Sequence, residues 1–287
     1  MPISHHLPWQ ANIAAKVVLS RMPVSYRTWK KIGFFNLGSM EQPEYAFTVF
    51  DRHFKWAGFS PHRPTGFTCL ELGPGDSLSS AVIATALGAS QTFLVDVVPF
   101  AASDLAPYRK LAAYLSEQGF PIGDLSQVAS MEQLLSLCSA TYFTSGLASL
   151  RQIPSNSVDF VFSHSTLQQV RRADFSPIIR ELRRIQRPNG AGSHSVSMRD
   201  LIGGGANDMR FSSQTWESPL LANSGFYTNR LRYSEMLSIF RDAGFATDVI
   251  HVGRWEKFPI SRKGLAQEFL SLSDDDLRTY EWDVILR

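Results

Sequence analysis

Short apolar runs alternate with amphipathic segments along most of the chain. Uninterrupted apolar runs between turn residues are typical of buried strands, and apolar positions three and four apart indicate helices. The pattern predicts strands at residues 68–72, 91–96, 142–144, 158–163, 192–198, 247–255 and 280–286. It predicts helices at residues 79–87, 107–118, 130–138, 175–186, 233–243 and 263–270. This alternation favours an α/β fold with a parallel sheet, and an antiparallel strand is plausible at its end.

Residues 1–60 precede this alternation and form a predicted helical extension. Residues 11–19 and 45–56 carry apolar stripes, and a turn is predicted between them at residues 34–39. We expect the extension to cover the open edge of the sheet domain, which spans residues 61–287. Four aromatic residues of the extension are candidates for lining a substrate pocket, with ordinary core packing as the alternative: Trp29, Phe34, Tyr45 and Trp56.

A glycine-rich turn follows the first predicted strand. The chain runs Glu71-Leu72-Gly73-Pro74-Gly75, and Asp96 ends the next strand about 20 residues further on. Glycines at such a turn allow a ligand to approach the backbone closely, and an acid at that distance can accept hydrogen bonds from ribose hydroxyls. The combination predicts a nucleoside site at the carboxyl edge of the sheet.

The details of this turn separate two classes of cofactor. A dinucleotide fingerprint needs a third glycine where this chain has Leu78, and Glu71 would repel a diphosphate. Glu71 is suited instead to hold a cationic amino-acid group, directly or through water. The turn resembles motif I of class I S-adenosylmethionine-dependent methyltransferases, except that Ser77 replaces the last glycine of that motif.

Two later segments extend the resemblance. Residues 157–170 resemble motif IV of the type 11 small-molecule branch, although Gln168 and Gln169 stand where a Glu-His pair often stands. Residues 181–190 resemble the helix-and-turn signature that follows it. The acid that usually contacts adenine after the third strand is not evident, which leaves backbone groups or Ser149 for that contact.

The resemblance implies a Rossmann-like seven-stranded methyltransferase sheet with S-adenosylmethionine as cofactor and S-adenosylhomocysteine as product. It also implies the following cofactor-binding residues: Glu71, Gly73, Pro74, Gly75, Asp96, Val97 and Ser163.

The long segment 199–230 follows the fifth strand and is predicted to be a substrate loop, because loops of this length in compact domains are usually functional. Its neighbourhood offers candidate catalytic groups. His194 or His164 is suited to accept a proton, and Asp200 to orient the histidine or bind a hydroxyl. Candidate substrate-binding residues are Arg199, Arg210, Tyr227, Asn229 and Arg230. The alternative is that these side chains only pin the loop.

Composition narrows the functional class further. The chain has 287 residues, a formal net charge of +2 and two cysteines, which indicates a globular protein with neither a nucleic-acid-binding basic stripe nor a disulfide framework. No apolar run is long enough for a membrane span and no signal peptide is recognised, so we expect a cytoplasmic protein. The His5–His6 pair has no further ligand at a suitable spacing, and no metal site is predicted.

We therefore predict O-methylation of a small polar molecule, such as a sugar or glycan precursor or a natural product. One alternative is methylation of nitrogen or carbon. Another is a cofactor-binding partner subunit without activity, which the Gln168–Gln169 pair leaves open. A dinucleotide-dependent oxidoreductase is disfavoured by Glu71 and the missing glycine. The acceptor and the oligomeric state, including a homodimer, are left open.

Overall fold

The computed structural model describes residues 9–19, 21, 39–60, 66–120 and 122–287. The described residues form one seven-stranded sheet in the order β3-β2-β1-β4-β5-β7-β6. The strands are β1 (Phe67–Leu72), β2 (Ala89–Val95), β3 (Ala140–Phe143), β4 (Val158–His164), β5 (Gln186–Ser197), β6 (Thr247–Arg254) and β7 (Thr279–Leu286). Strands β1 to β5 pair in parallel, and β7 runs antiparallel to β5 and β6. The predicted fold class and the antiparallel last strand are thus confirmed.

Helices connect the strands. They are α1 (Trp9–Leu19), α2 (Pro43–Trp56), α3 (Ser79–Ala86), α4 (Ala106–Glu117), α5 (Met131–Leu137), α6 (Leu147–Leu150), α7 (Arg172–Ile185), α8 (Ser213–Trp216), α9 (Pro219–Ala222), α10 (Tyr233–Asp242) and α11 (Asp274–Arg278). Among the described residues, no helix combines the length and the apolar character that a bilayer crossing needs. Gly88 and Gly244 follow α3 and α10 with positive φ, as expected of helix C-caps.

The two faces of the sheet carry separate apolar cores. Helices α2, α3 and α4 pack on one face, which we call the α2 face, whereas α7 and α10 pack on the opposite face. On the α2 face, Phe50 and Phe54 are buried against Phe160 and Phe162 of β4. Each such side chain contributes roughly 1.5–3 kcal/mol by burial. This packing fixes α2 across the carboxyl half of the central strands.

Three local predictions need correction. The helix predicted at residues 263–270 is wrong, because the chain there makes two 3-10 turns, Arg262–Gly264 and Gln267–Phe269. Leu265 and Ala266 between them are extended, and the amide of Ala266 donates to the carbonyl of Met209. Strand β5 begins at Gln186, before the predicted turn at residues 188–190. Segment 199–230 is not an open loop, because it contains α8, α9 and a 3-10 turn.

The described parts of the extension contact two different regions. Helix α1 packs on segment 199–230, where Asn12 donates to the carbonyl of Ile202. Helix α2 packs on the sheet, as described above. Tyr45 on α2 is 38% exposed, and Trp56 lies edge-on to His53. Trp29, Phe34 and the His5–His6 pair lie outside the described residues, and the division at residue 60 stays a prediction.

Candidate active site

The turn after β1 is held between the ends of β2 and β4. Gly73 and Gly75 have φ values of 77° and 69°, in the left-handed region that favours glycine. The amide of Gly73 donates to the carbonyl of Val95 over 2.8 Å. A Cβ atom on Gly73 would lie 2.3 Å from Cγ2 of Thr166, so a larger residue does not fit without movement. Pro74 between the two glycines is buried.

Glu71 lies at the foot of this turn and is 3% exposed. Its Oε2 atom has no hydrogen-bond partner among the described residues. Burial raises the pKa of this carboxyl to about 8, Asp96 adds to the rise and the Ser80 hydroxyl opposes it. A buried, unsatisfied carboxyl is costly unless a partner arrives. The cationic amino group of S-adenosylmethionine is a partner of suitable charge, so Glu71 fits the cofactor.

Asp96 follows β2 and joins the turn to that strand. Its Oδ2 atom accepts from the amide of Gly75 over 3.1 Å, and its Oδ1 atom accepts from the amide of Val97 over 2.7 Å. Burial raises the pKa of Asp96 to about 6, while these two amides oppose the rise. Each carboxylate oxygen has about two acceptor positions, so capacity remains for ribose hydroxyls.

Val97 and Gly146 form an apolar surface beside Asp96. The Val97 side chain is 62% exposed. A Cβ atom on Gly146 would lie 3.1 Å from Cγ1 of Val97, and the amide of Gly146 donates to the carbonyl of Asp96. This apolar surface is suited to contact an adenine ring. Ser149 is buried and its hydroxyl accepts from the amide of Ser145, so Ser149 serves the local turn.

The turn also contacts the N-terminal side of α2. Ser77, at the position of the missing glycine, is 3% exposed. Its hydroxyl and that of Ser79 both donate to the carbonyl of Met40. The serine that departs from the family pattern therefore ties the turn to the segment before α2.

A row of polar side chains crosses the sheet at its carboxyl edge. His164 on β4 pairs with Ser195 on β5, and Ser195 pairs with Asp283 on β7. Glu71 pairs with Phe162, which places His164 level with Gly73. The Ser195 hydroxyl donates to Oδ1 of Asp283. Burial lowers the pKa of His164 to about 4, Arg52 contributes to the fall and Asp283 opposes it.

Helix α2 adds two residues that the sequence interpretation missed. Nδ1 of His53 lies 2.8 Å from the Ser193 hydroxyl, and Nε2 of His53 lies 3.3 Å from Nδ1 of His164. Nη2 of Arg52 lies 3.4 Å from Nδ1 of His164. The apolar stripe of Phe50 and Phe54 carried a usable signal, since helical spacing places the polar His53 beside them on the buried face. In the described ranges no group of histidines and acids is arranged to hold a metal ion.

His194 and Ser163 lie on the opposite face of the sheet from His164. Nδ1 of His194 is 2.8 Å from the Ser163 hydroxyl, and the imidazole is 1% exposed. Burial lowers the pKa of His194 to about 3. The structure therefore does not bring the two candidate base residues together. It also turns the Ser163 side chain away from Glu71, and a role for either residue in the reaction stays a prediction.

Asp200 organises the start of segment 199–230. Its Oδ1 atom accepts from the amides of Ile202, Gly203 and Gly204 at 2.7–3.0 Å. Its Oδ2 atom accepts from the amide of Asn207 at 2.5 Å. The carboxylate makes no hydrogen bond to any histidine among the described residues. This geometry is that of a loop anchor, and the predicted support of a catalytic histidine is untested.

The three candidate arginines of this segment are held by contacts within the protein. Arg199 stacks on Tyr280 at 4.1 Å, and Arg210 stacks on Trp9 at 5.2 Å. Arg230 is 5% exposed and donates to the carbonyls of Asp208 and Phe211. These contacts favour the alternative that the arginines pin the segment.

Tyr227 and Asn229 connect the same segment to the region after β4. The Tyr227 hydroxyl donates to Glu217 at 3.0 Å. Nδ2 of Asn229 donates to the carbonyls of Leu167 and Val170. Gln168 and Gln169 both donate to the carbonyl of Ser165. The residues at the Glu-His position thus stabilise the turn that follows His164.

Comparisons with known proteins agree with this arrangement. A family model described as a methyltransferase domain matches residues 70–192. No curated protein matches the chain.

Several solved structures are similar at low identity. Phosphoethanolamine N-methyltransferase 2 of Haemonchus contortus, solved with S-adenosylmethionine, is 15% identical over 92% of this chain and 60% of that chain, with a TM-score of 0.47. A methyltransferase from Methanosarcina mazei is 16% identical over 78% of this chain and 93% of that chain, with a TM-score of 0.45. A methyltransferase from Aquifex aeolicus is 15% identical over 92% of this chain and 98% of that chain, with a TM-score of 0.42. Similarity at this level says nothing about the acceptor.

The family match covers the segment that contains the glycine turn, Asp96 and the strand that ends in His164. It coincides with the parallel core of a seven-stranded sheet whose last strand is antiparallel. Residues 70–192 of this chain therefore match a methyltransferase domain, the sheet has the Rossmann-like methyltransferase fold, and the cofactor is S-adenosylmethionine.

Proposed function

We propose that this protein is an enzyme that transfers a methyl group from S-adenosylmethionine to an oxygen atom of a small polar acceptor. The observation that carries the proposal is the buried Oε2 atom of Glu71 at the foot of the Gly73–Gly75 turn, which has no hydrogen-bond partner among the described residues. A dinucleotide phosphate would meet this acid unfavourably, whereas a cationic amino-acid moiety satisfies it.

S-adenosylmethionine supplies a methyl group that its sulfonium already activates, so the protein has mainly to position two reactants. Asp96 is suited to hold the ribose hydroxyls with its remaining acceptor positions. Val97 and Gly146 offer the surface for adenine, and Glu71 holds the amino group directly or through water.

The acceptor side of the proposal rests on the polar row at the carboxyl edge. His164, Ser195 and Asp283 lie side by side on β4, β5 and β7, and Arg52 reaches the row from α2. These groups offer hydrogen bonds and charge, which a small polar molecule can use. His164 lies level with Gly73, whereas His194 points to the other face, so we assign the acceptor contact to His164.

Calorimetric titration tests the cofactor assignment. We expect S-adenosylmethionine to bind and NAD not to bind, and both Asp96→Ala and Glu71→Gln to weaken the binding. Glu117→Gln, at an exposed position of α4, is a matched control for the loss of one carboxylate. Absence of sulfonium binding would overturn the proposal, and binding of NAD would favour an oxidoreductase.

Mass spectrometry of products tests the methylated atom. The enzyme is incubated with S-adenosylmethionine and panels of small alcohols, acids, phenols and amines, and release of S-adenosylhomocysteine is measured. Methyl ethers or esters support transfer to oxygen, whereas methylated nitrogen or carbon contradicts it.

A further inference from the structure

The imidazole of His53 connects the acceptor edge to two hydroxyls. Its Nδ1 atom lies 2.8 Å from the Ser193 hydroxyl, and its Nε2 atom lies 3.3 Å from Nδ1 of His164 and 3.4 Å from the Ser195 hydroxyl. All these side chains lie on the α2 face of the sheet. We call this set, with Arg52 and Asp283, the histidine network.

The direction of donation in the histidine network can be deduced from Asp283. The Ser195 hydroxyl donates its proton to Oδ1 of Asp283, so its oxygen is left to accept. Nε2–H of His53 is then the donor to Ser195. A neutral imidazole carries one N–H, so Nδ1 of His53 accepts from the Ser193 hydroxyl.

The same logic fixes the proton of His164. Its Nδ1 atom faces Arg52, which can only donate, and it faces Nε2–H of His53. Nδ1 of His164 is therefore an acceptor, and the single proton of the neutral ring sits on Nε2. In this tautomer the free edge of His164 donates a hydrogen bond and cannot take a proton from a substrate.

Arg52 has no partner of opposite charge in the part of the chain that the structure describes. No carboxylate lies within ion-pair distance of it among the described residues, and its Nη2 atom lies 3.4 Å from Nδ1 of the neutral His164. Its Nε atom is buried without a hydrogen bond, and its guanidinium lies 5.0 Å from the Trp56 ring. A partly buried cation without a counter-charge is costly, and an anionic ligand removes that cost.

We propose that the acceptor is an oxygen already ionised at neutral pH, as in a carboxylate or an acidic enol or phenol. Arg52 and Nε2–H of His164 orient this oxygen, and His53 is a positioning residue that fixes the His164 tautomer. The inference rests on the proposed function. In the transfer, the acceptor oxygen forms the new bond to the methyl carbon. The bond from that carbon to sulfur breaks, its electron pair stays on sulfur, and no proton moves.

The charges around the histidine network are consistent with neutral imidazoles. The charged or titratable groups that act on His53 or His164 are Arg52 on α2, Asp283 on β7 and, from the other face of the sheet, His194 on β5. Burial lowers the pKa of His53 well below its usual value, and His164, Arg52 and His194 lower it further. Asp283 opposes the fall at His164 without cancelling it.

Long-range ¹H–¹⁵N spectra of the histidine rings test the tautomer without cofactor or substrate. We expect His164 to stay neutral with its proton on Nε2 from about pH 5.5 to about pH 8, although an unperturbed histidine titrates near 6.5. Loss of the signal in His164→Gln assigns it. In Arg52→Gln, the pKa of His164 should rise. Titration of His164 near pH 6.5 in the native chain, or a proton on Nδ1, would overturn the inference.

Matched acceptor pairs test the substrate class. Each carboxylic acid, acidic enol or acidic phenol is offered beside the neutral alcohol of the same carbon skeleton, and S-adenosylhomocysteine is measured. We expect turnover of acids only, and a rise in acceptor KM of about tenfold to a hundredfold in Arg52→Gln with S-adenosylmethionine affinity unchanged. Arg183→Gln, which removes an arginine stacked on Phe245 outside the site, is the control.

The outcomes separate the two proposals. Turnover of the alcohols, or of neither member of any pair, contradicts the anionic acceptor while the methyltransferase assignment stands on cofactor binding. Failure of the native chain to bind S-adenosylmethionine contradicts the proposed function, and the histidine spectra are read independently of it.

Discussion

Nε2 of His53 lies 3.3 Å from Nδ1 of His164, although 111 positions separate the two residues in the chain. One residue belongs to a helix before the nucleotide fold, and the other ends the strand that faces the glycine turn. The contact makes α2 part of the polar row at the carboxyl edge of the sheet, and under the proposed function the extension would contact the acceptor there.

His53→Ala should impair both stability and acceptor use. The substitution leaves the Ser193 hydroxyl without its partner and opens space beside Phe162, which costs about 1–3 kcal/mol. The acceptor KM should rise more than kcat falls, because His164 loses a group that orients it. Urea unfolding and steady-state kinetics measure the two effects.

His53→Gln is the matched variant, because an amide can both donate and accept. It should recover part of the acceptor affinity that His53→Ala loses. Equal kinetics in both variants and the native chain would show that His53 has only a packing role.

Gly73→Ala should destabilise the fold through a collision as well as through backbone strain. The new methyl group would meet Thr166 at 2.3 Å, at a φ of 77°. Gly58→Ala is a control that introduces the backbone strain without a collision. Gly58 has a φ of 92°, and a Cβ atom there would have no neighbouring atom within 4 Å. Strain costs about 1–2 kcal/mol, and we expect Gly73→Ala to cost more than Gly58→Ala in denaturant unfolding. Equal losses would mean that Thr166 moves aside freely.

Binding of S-adenosylmethionine should release a proton from Glu71. With a pKa of about 8, this carboxyl is mostly protonated at pH 7, and a cation beside it favours the ionised form. We expect release of up to about 0.9 proton at pH 7. Calorimetry in two buffers of different ionisation enthalpy measures this number. The buffer dependence should disappear in Glu71→Gln, and its persistence there would assign the proton to another group.

Strands β1 and β4 and the end of β7 were predictable because they are buried on both faces and appear in the sequence as continuous apolar runs. Leu70, Val161 and Val284 lie in three such runs, and each is fully buried. The helix predicted around Leu265 failed because tertiary contacts decided the backbone there. Leu265 packs into a small core with Met209 and Phe269, and the Ala266 amide donates to the carbonyl of Met209. The local sequence pattern carries no information about these distant partners.

The positions of the proposed cofactor residues in the fold were predictable for a different reason. Glu71, Gly73 and Asp96 lie at the ends of adjacent strands, so their place in the chain determines their place in the fold. His194 illustrates the limit of predicting a side chain's position from the sequence. Successive residues of a strand point to opposite faces, and the predicted boundaries did not show that His164 and His194 differ in face. Arg52 and His53 were missed because their partners are distant in the chain.

Asp200→Asn should loosen the segment that α1 covers. One amide oxygen cannot replace a carboxylate that accepts four backbone amides, and a loss of about 2–3 kcal/mol is expected. Hydrogen exchange should accelerate at residues 202–207. If Asp200 instead assists a catalytic histidine, kcat falls while exchange in this segment stays as in the native chain.

The pH dependence of stability should report the buried His194. Its folded pKa of about 3 lies below the ordinary value of 6.5. The unfolded chain therefore binds more protons between those values, and the stability contributed by the neutral ring is present above pH 6.5 and lost as the pH falls. Glu71 acts in the opposite direction, since its raised pKa makes stability fall as the pH rises from about 4.5 to about 8.

A comparison of variants isolates the His194 contribution from that of Glu71. Between pH 7 and about pH 4.5, the native chain should lose about 2–3 kcal/mol more unfolding free energy than His194→Gln does, because glutamine has no proton to bind. Urea unfolding at both pH values measures the difference, with His251→Gln as the control at an exposed position. If the native chain and His194→Gln instead lose stability in parallel on acidification, the His194 ring becomes protonated while the protein stays folded. His194 would then regain its place as a candidate base, because only a ring that can hold a proton in the folded protein can take one from an acceptor.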